Sequence, residues 1–183
     1  MCEPTRVRQI VLLRGINLGS RNRVAMPALR ELLAGAGFED VRTYVGSGNV
    51  VLETRRKPAG VAKACEELIA AELGLDIGVV VRTRDELAEV VRRNPLGDVA
   101  DNPKRYQVSF LDSELDPKVA DKLSGLAAGS ERMEVIGREI YAWHPEGVAR
   151  SKLWAGLAGK GLGVKSTARN WTTVTTLLEM AGD

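Results

Sequence analysis

The order of the predicted strands and helices constrains the fold of this chain more than any other feature. In the first half, apolar residues either run together or alternate, as in strands, or recur every three to four positions, as in helices. These patterns predict a strand at 7–13, a helix with an apolar stripe at 26–36, a strand pair at 41–45 and 50–52, a helix at 58–73 and a strand at 77–81. This strand-helix-strand-strand-helix-strand order is typical of the ferredoxin-like arrangement.

The same order is predicted again in the second half. It comprises a strand at 106–111, a helix at 116–126, a hairpin of strands at 133–136 and 139–143, a short helix near 150–157, a brief strand near 163–164 and a final helix capped by Thr167. Between the halves, Thr83 and Glu86 have the spacing of a capping box, and Asn94-Pro95 ends the helix that they open.

We therefore expect an α+β fold, a tandem duplication of two ferredoxin-like (βαββαβ) subdomains with a C-terminal helix. Residues 1–94 are expected to form the first subdomain plus a connecting helix. Residues 95–105 form a linker, and residues 106–183 form the second subdomain with the C-terminal helix.

Composition narrows the class of protein. The chain has 183 residues, of which 44% are hydrophobic, so it can bury a core and is neither collagen-like nor disordered. His144 is the only histidine and Cys2 and Cys65 are the only cysteines, so we expect no metal site, no cofactor and no disulfide scaffold. No apolar run approaches membrane-spanning length or forms a signal-peptide core, which favours a cytoplasmic protein without a membrane segment.

Positive charge is concentrated in two segments, although the formal charge of the chain is only +2. Residues 1–30 carry six arginines against Glu3, and residues 145–175 carry five basic residues against Glu146. If the two segments meet in space, they form an electropositive patch suited to phosphate or another anion. The alternative is that two basic surfaces are solvated separately.

The loop after the first strand is the most suggestive candidate site. Arg14, Gly15, Asn17 and Gly19 lie between the end of a buried strand and the start of a helix. Glycine amides, a helix N-terminus and a guanidinium group together favour an anion there. The glycine spacing matches neither a Walker A loop nor the dinucleotide fingerprint, and a tight turn that needs glycine is the alternative.

Two further polar segments are candidates. Ser47 and Asn49 lie in the predicted hairpin turn, where a hydroxyl and a carboxamide can bind a ligand, although turns favour the same residues. Arg169 and Asn170 follow the predicted cap Thr167 at the start of the final helix, which also suits an anion. The alternative there is an ordinary helix cap beside a surface arginine.

Tyr141 and Trp143 share one face of a predicted strand, opposite Ile140 and Ala142. If the aliphatic pair faces the helices, the aromatic pair stands on the open side of the sheet, where RNA-recognition domains stack bases. Packing between the two halves of the chain is the alternative. His144 has no identifiable carboxylate partner in the sequence, and no nucleophile elbow occurs, so the sequence leaves open whether the protein is an enzyme.

Together these residues resemble a known family, the bacterial domain-of-unknown-function family numbered 1697. The similar segments, in the family's order and approximate spacing, are Leu12-Leu13-Arg14-Gly15-Ile16-Asn17, Met26, Leu29, Thr43-Tyr44, Ser47-Gly48-Asn49-Val50, Asn94-Pro95 and Thr167-x-Arg169-Asn170-Trp171-x-Thr173. The chain departs from the pattern at Gly46, where similar proteins usually carry Gln, and at Leu96, where an aromatic is common. The resemblance implies a duplicated α+β fold and supplies no activity.

The leading hypothesis is a protein that binds a phosphorylated or otherwise anionic small ligand. Arg14 and Arg169 would supply charge. The orienting hydrogen bonds would come from Asn17, Ser47, Asn49 and Asn170. The alternatives are a nucleic-acid-binding module that uses the basic residues with Tyr141 and Trp143, and a protein-interaction domain without a small ligand.

Overall fold

The computed structural model describes residues 3–182, so Cys2 lies outside the described residues. Over this range the chain forms eight strands and six helices. They are β1 (Val7–Leu13), α1 (Met26–Gly35), β2 (Glu39–Tyr44), β3 (Asn49–Thr54), α2 (Pro58–Leu73), β4 (Val79–Thr83), α3 (Arg84–Arg93), β5 (Tyr106–Leu111), α4 (Pro117–Ser124), β6 (Arg132–Ile136), β7 (Glu139–Trp143), α5 (Lys152–Ala158), β8 (Ser166–Asn170) and α6 (Trp171–Gly182).

The chain divides into two compact units. The first unit comprises the chain up to Ala88 together with the segment from Leu177, and the second unit runs from Glu89 to Thr176. A hydrogen bond of 2.7 Å from Arg42 Nη2 to the carbonyl of Met180 helps to attach the C-terminal segment to the first unit. The sequence pattern instead places that segment in the second subdomain. The subdomain boundaries at residues 94 and 106 stay a prediction.

The first unit is built on a four-stranded antiparallel sheet in the order β2-β3-β1-β4. The central strand β1 carries Val11, which pairs with Val50 of β3 on one side and with Val81 of β4 on the other. One face of this sheet packs against α1 and α2, where Leu29 and Ile69 are fully buried. The apolar stripes of two helices and one sheet face therefore form the core of the unit.

Cys65 belongs to this core. Its side chain is buried on the α2 stripe, and burial raises the pKa of its thiol to about 12. A thiol held neutral in an apolar cluster packs as a small hydrophobic group.

The second unit repeats the arrangement, with an antiparallel sheet in the order β6-β7-β5-β8. On one face of this sheet, Ile140 and Ala142 of β7 share an apolar cluster with Leu123 of α4 and Leu157 of α5. The aliphatic pair of β7 therefore faces the helices. The chain thus has an α+β fold with two four-stranded antiparallel sheets of the same strand order and a C-terminal helix.

Two helix ends occur where local signals predict them. Helix α2 begins at Pro58 and ends before Gly74, whose φ of 65° is left-handed. At the start of α3, the Oγ1 of Thr83 accepts from the backbone N–H of Glu86 at 3.1 Å. The carboxylate of Glu86 accepts in turn from the N–H of Thr83 at 2.8 Å, which confirms the predicted capping box.

The last strand is the element that the sequence predicts wrongly. Instead of a strand near 163–164 and a helix capped by Thr167, Ser166–Asn170 forms β8 and α6 begins at Trp171. The Oδ1 of Asn170 accepts from the N–H of Thr173 at 2.9 Å, so Asn170 rather than Thr167 caps the helix. Pairing of all five β8 residues with β5 outweighs the local capping signal of a threonine.

The capping box predicts a measurable loss of stability on removal of one hydroxyl. Thr83→Ala is expected to lower the free energy of unfolding by about 1 kcal/mol, because the N–H of Glu86 loses its acceptor. Thr83→Ser keeps the oxygen and should retain most of that stability. Urea unfolding followed by circular dichroism measures both, and equal losses in the two variants would contradict the capping role.

Candidate functional site

The loop between β1 and α1 is held in a fixed shape by hydrogen bonds within the loop. The N–H of Asn17 donates to the carbonyl of Asn22 at 3.0 Å, and Leu18 and Arg21 form an isolated antiparallel bridge. The Nδ2 of Asn22 donates to the carbonyl of Gly15 at 3.1 Å. Both asparagines have positive φ, a conformation that asparagine tolerates better than most residues.

Asn17 connects this loop to the turn between β2 and β3. Its Oδ1 accepts from the N–H of Val24 at 2.9 Å, and its Nδ2 donates to the carbonyls of Val24 at 2.9 Å and Gly46 at 2.7 Å. Both amide hydrogens are therefore used inside the protein. The side chain of Asn17 fixes the loop against the turn.

The β2–β3 turn is held by the same kind of contact. Asn49 is fully buried, and its Nδ2 donates to the carbonyl of Tyr44 at 3.1 Å. The N–H of Leu13 donates to the carbonyl of Gly48 at 2.9 Å, so the turn lies directly against the end of β1. Ser47 is exposed at this turn. The structure therefore brings the two candidate segments of the first unit together.

Three arginines of the loop have no acidic partner among residues 3–182. Arg14 is half-buried, and Arg21 and Arg23 are exposed. No hydrogen bond or ion pair reaches their guanidinium groups from residues 3–182. The sequence has no acidic residue between Glu3 and Glu31. The first unit therefore carries uncompensated positive charge beside the β2–β3 turn.

Arg169 and Asn170 lie in the second unit. Arg169 is in β8 rather than at a helix start, and its Nη1 donates to the Oγ1 of Thr167 at 2.7 Å and to the carbonyl of Ala168 at 2.8 Å. Burial lowers the pKa of this guanidinium to about 10. Arg14, Asn17, Ser47 and Asn49 thus belong to one unit, and Arg169 and Asn170 belong to the other.

The aromatic pair of β7 is buried. Tyr141 is 0% exposed and Trp143 is 5% exposed. The hydroxyl of Tyr141 donates to the carbonyl of Val90 at 2.9 Å, and the ring of Tyr106 lies 6.4 Å from that of Tyr141 between centroids. Neither ring of the pair offers an exposed face on which a base would stack.

A histidine cluster in the second unit escaped the sequence pattern. His144 is fully buried, and its Nδ1 lies 2.6 Å from the Oε2 of Glu131. Ser151 Oγ donates to the same carboxylate oxygen at 2.6 Å and accepts from the N–H of Trp154 at 3.0 Å. The expectation that His144 lacks a carboxylate partner is therefore wrong.

Strand register was the signal that would have found this partner. In the β6–β7 hairpin, Arg132 lies opposite Trp143. Extending the antiparallel register by one residue places Glu131 opposite His144. The register that pairs the predicted strands 133–136 and 139–143 therefore also pairs Glu131 with His144.

The cluster has the composition of a serine-histidine-acid triad without its geometry. In such a triad the serine and the acid contact different ring nitrogens. Here Ser151 and Glu131 both lie at Nδ1 of His144, 3.2 Å and 2.6 Å away, while the buried Nε2 has no partner within residues 3–182. The cluster therefore caps α5 and closes the β6–β7 hairpin rather than activating the serine hydroxyl.

A cavity of about 720 Å³ lies beside this cluster. Ser151 and Glu131 contribute to its lining, together with Glu146 and Arg150, which are both exposed. Carboxylates and a guanidinium share the cavity, so its charge does not favour an anion in the way that the β1–α1 loop does.

Two further properties concern the described part of the chain. Within residues 3–182 no group of three or more His, Cys, Asp or Glu side chains is arranged to hold a metal ion. No helix in the same range is both long enough and apolar enough to cross a membrane.

Comparison with known proteins finds one family model and a similar solved structure. A family model described as "Protein of unknown function (DUF1697)" matches residues 7–141. None of the curated proteins compared with the chain matches it. The solved structure of a conserved bacterial protein from Streptococcus pneumoniae is similar, with a TM-score of 0.80 and 22% identity over 97% of this chain and 99% of that one. At this identity the likeness shows a shared fold.

The two glycines of the β2–β3 turn predict opposite effects of the same substitution. Gly48→Ala is expected to lower the free energy of unfolding by more than about 1 kcal/mol. Its φ is +79°, and an added Cβ would lie 2.7 Å from the Cβ of Leu13 and 2.9 Å from the Cδ1 of Ile16.

Gly46→Ala is the matched control. Its φ is not left-handed and an added Cβ meets no atom within 4 Å, so this variant should be more stable than the wild type by about 0.4–1 kcal/mol. Denaturant unfolding measures both variants, and destabilisation by Gly46→Ala would show that the turn is packed differently.

The histidine cluster predicts a pH-dependent contribution to stability. Burial raises the pKa of Glu131, but hydrogen bonds from Ser151 and His144 outweigh it and hold this pKa below its ordinary value of 4.5. The carboxylate therefore stabilises the native state above pH 4.5, and this contribution is lost as the pH falls through the lowered native value.

Unfolding at pH 7, 5 and 3 tests this expectation. Glu131→Gln should be less stable than the wild type at neutral pH, and the difference should shrink in acid. Glu146→Gln, at an exposed position in the same cavity, should show a small difference that does not change with pH. A constant deficit for Glu131→Gln would contradict an ionised, hydrogen-bonded carboxylate.

Proposed function

The chain belongs to the DUF1697 family, whose description assigns no activity, and we propose a function from the geometry of the first unit. The protein binds a phosphorylated or otherwise anionic small ligand. The observation that carries this proposal is the set of three arginines without acidic partners among the described residues, Arg14, Arg21 and Arg23, on one fixed loop. A guanidinium group donates two parallel hydrogen bonds to two oxygens of one phosphate group. This geometry favours phosphate over an anion that has a single accepting atom.

The backbone of the loop supports the same ligand class. Gly15 and Gly19 have left-handed φ values of 63° and 61°, and no atom lies within 4 Å of the place where a Cβ would stand. An anion is therefore able to approach the main chain closely at both glycines. The exposed Ser47 of the adjoining turn supplies a hydroxyl for a further hydrogen bond.

Asn17 and Asn49 have positioning roles in this proposal. Their amide hydrogen bonds to the carbonyls of Gly46 and Tyr44 keep loop and turn in place before a ligand arrives. A site whose residues are fixed in advance loses less entropy on binding.

The second unit enters the proposal separately. Arg169 and Asn170 stay predicted ligand-binding residues, supported by the charge of one and the amide of the other.

We also propose that each unit is ferredoxin-like, supported by the shared strand orders β2-β3-β1-β4 and β6-β7-β5-β8. A bacterial, cytoplasmic protein is part of the same proposal, with the bacterial origin supported by the Streptococcus pneumoniae relative.

Arginine-to-alanine variants test the proposed anion site. Each of Arg14→Ala, Arg21→Ala and Arg23→Ala is expected to weaken pyrophosphate binding by about tenfold to a hundredfold, because each removes a charge-assisted hydrogen bond worth roughly 1.5–3 kcal/mol. Isothermal titration calorimetry measures the affinities. Arg150→Ala is the matched control, because it removes an exposed arginine of the second unit.

Two results would count against a small-ligand site. Equal affinity in all four variants would place any bound anion elsewhere on the protein. Binding of oligonucleotides alone, with an affinity that falls steeply as salt increases, would favour a nucleic-acid surface instead.

A further inference from the structure

Two exposed apolar side chains stand beside the arginine loop. Leu18 is 69% exposed and Val45 is 56% exposed, and they are the two most exposed large hydrophobic residues of the described chain. Leu18 follows Asn17 and Val45 precedes Gly46, and a 2.7 Å hydrogen bond joins that asparagine to the Gly46 carbonyl. The backbones that carry the two apolar side chains are therefore held next to each other.

Val45 is held in a conformation that valine normally avoids. Its φ is 48°, in the left-handed region where a β-branched side chain is strained. The carbonyls on either side, those of Tyr44 and Gly46, each accept a hydrogen bond from an asparagine amide. Strain that neighbouring contacts maintain in this way is concentrated at functional sites.

The surface thus combines two chemistries. Arg14, Arg21 and Arg23 offer positive charge, and Leu18 and Val45 offer apolar area. Inorganic phosphate or a sugar phosphate would use only the charge. A ligand that joins a phosphate to a flat apolar ring would use both, and guanidinium planes also stack on such rings.

The size of the apolar area argues for a small ligand rather than a macromolecule. A stable protein–protein interface buries about 800 Å² on each partner. Two aliphatic side chains match one ring system, not an interface of that extent.

We propose that the ligand is a phosphate ester carrying a flat, largely apolar ring, and this inference rests on the proposed anion-binding function. The arginines bind the phosphate, and Leu18 and Val45 cover one face of the ring. A nucleoside monophosphate is the soluble probe of this class. The strained backbone at Val45 keeps an apolar side chain displayed where that ring would lie.

Calorimetric titration with four probes separates the two parts of the ligand. Inorganic phosphate, ribose 5-phosphate, adenosine and adenosine 5′-monophosphate are titrated into the full chain. The monophosphate should bind about tenfold more tightly than ribose 5-phosphate, because only the former covers apolar area. Adenosine alone should bind more weakly than the monophosphate, because it lacks the group that the arginines hold.

Val45→Gly separates binding from folding. Glycine adopts a φ of 48° without strain, so this variant should be at least as stable as the wild type. It should nevertheless bind adenosine 5′-monophosphate only as tightly as ribose 5-phosphate. Leu18→Ser should show the same loss, and Val99→Ser, at a residue that is 48% exposed, is the control that should leave all affinities unchanged.

Each outcome supports or overturns the inference. Tighter binding of the nucleotide that is lost in Val45→Gly and Leu18→Ser supports it. Equal binding of the nucleotide and ribose 5-phosphate, both weakened by Arg14→Ala, overturns it and leaves the proposed anion site standing. Absence of binding by every phosphate probe overturns both proposals.

Discussion

The side chain of Asn17 is the contact on which the candidate site of the first unit depends. One amide reaches both Val24, near the end of its own loop, and the carbonyl of Gly46 in the β2–β3 turn. The loop that follows β1 and the turn that leads into its neighbour β3 are thereby held as a single surface. The arginines without acidic partners among residues 3–182, the open glycines and the exposed Val45 lie on the two segments that this contact joins.

Local signals were sufficient where a segment is stabilised by its own residues. Proline and glycine mark the ends of α2, and the capping box at Thr83 opens α3, because each of these interactions spans only a few residues. Thr167 carried a comparable signal and lies in a strand instead, since pairing with a segment more than fifty residues away determines the conformation there. The local sequence around Thr167 does not indicate that this segment pairs with β5.

The chemistry of the candidate residues was predictable, but their roles were not. Asparagine amides suit a ligand and a backbone carbonyl equally well, and Asn17 and Asn49 use theirs on carbonyls. The left-handed backbone of Val45 was not predictable, because an aliphatic residue in a strand-like pattern gives no sign of such a conformation. Glu131 and His144 were hidden one residue beyond the predicted hairpin, although its register paired them.

The division of the chain has a consequence for its synthesis. The first unit takes its final segment from residues after Leu177, so the second unit is inserted between two parts of the first. On a ribosome, the carbonyl of Met180 that accepts from Arg42 emerges only after the whole of the second unit has been synthesised. The half of the protein that is made first is therefore the last to be complete, and the inserted unit has all of its own residues available earlier.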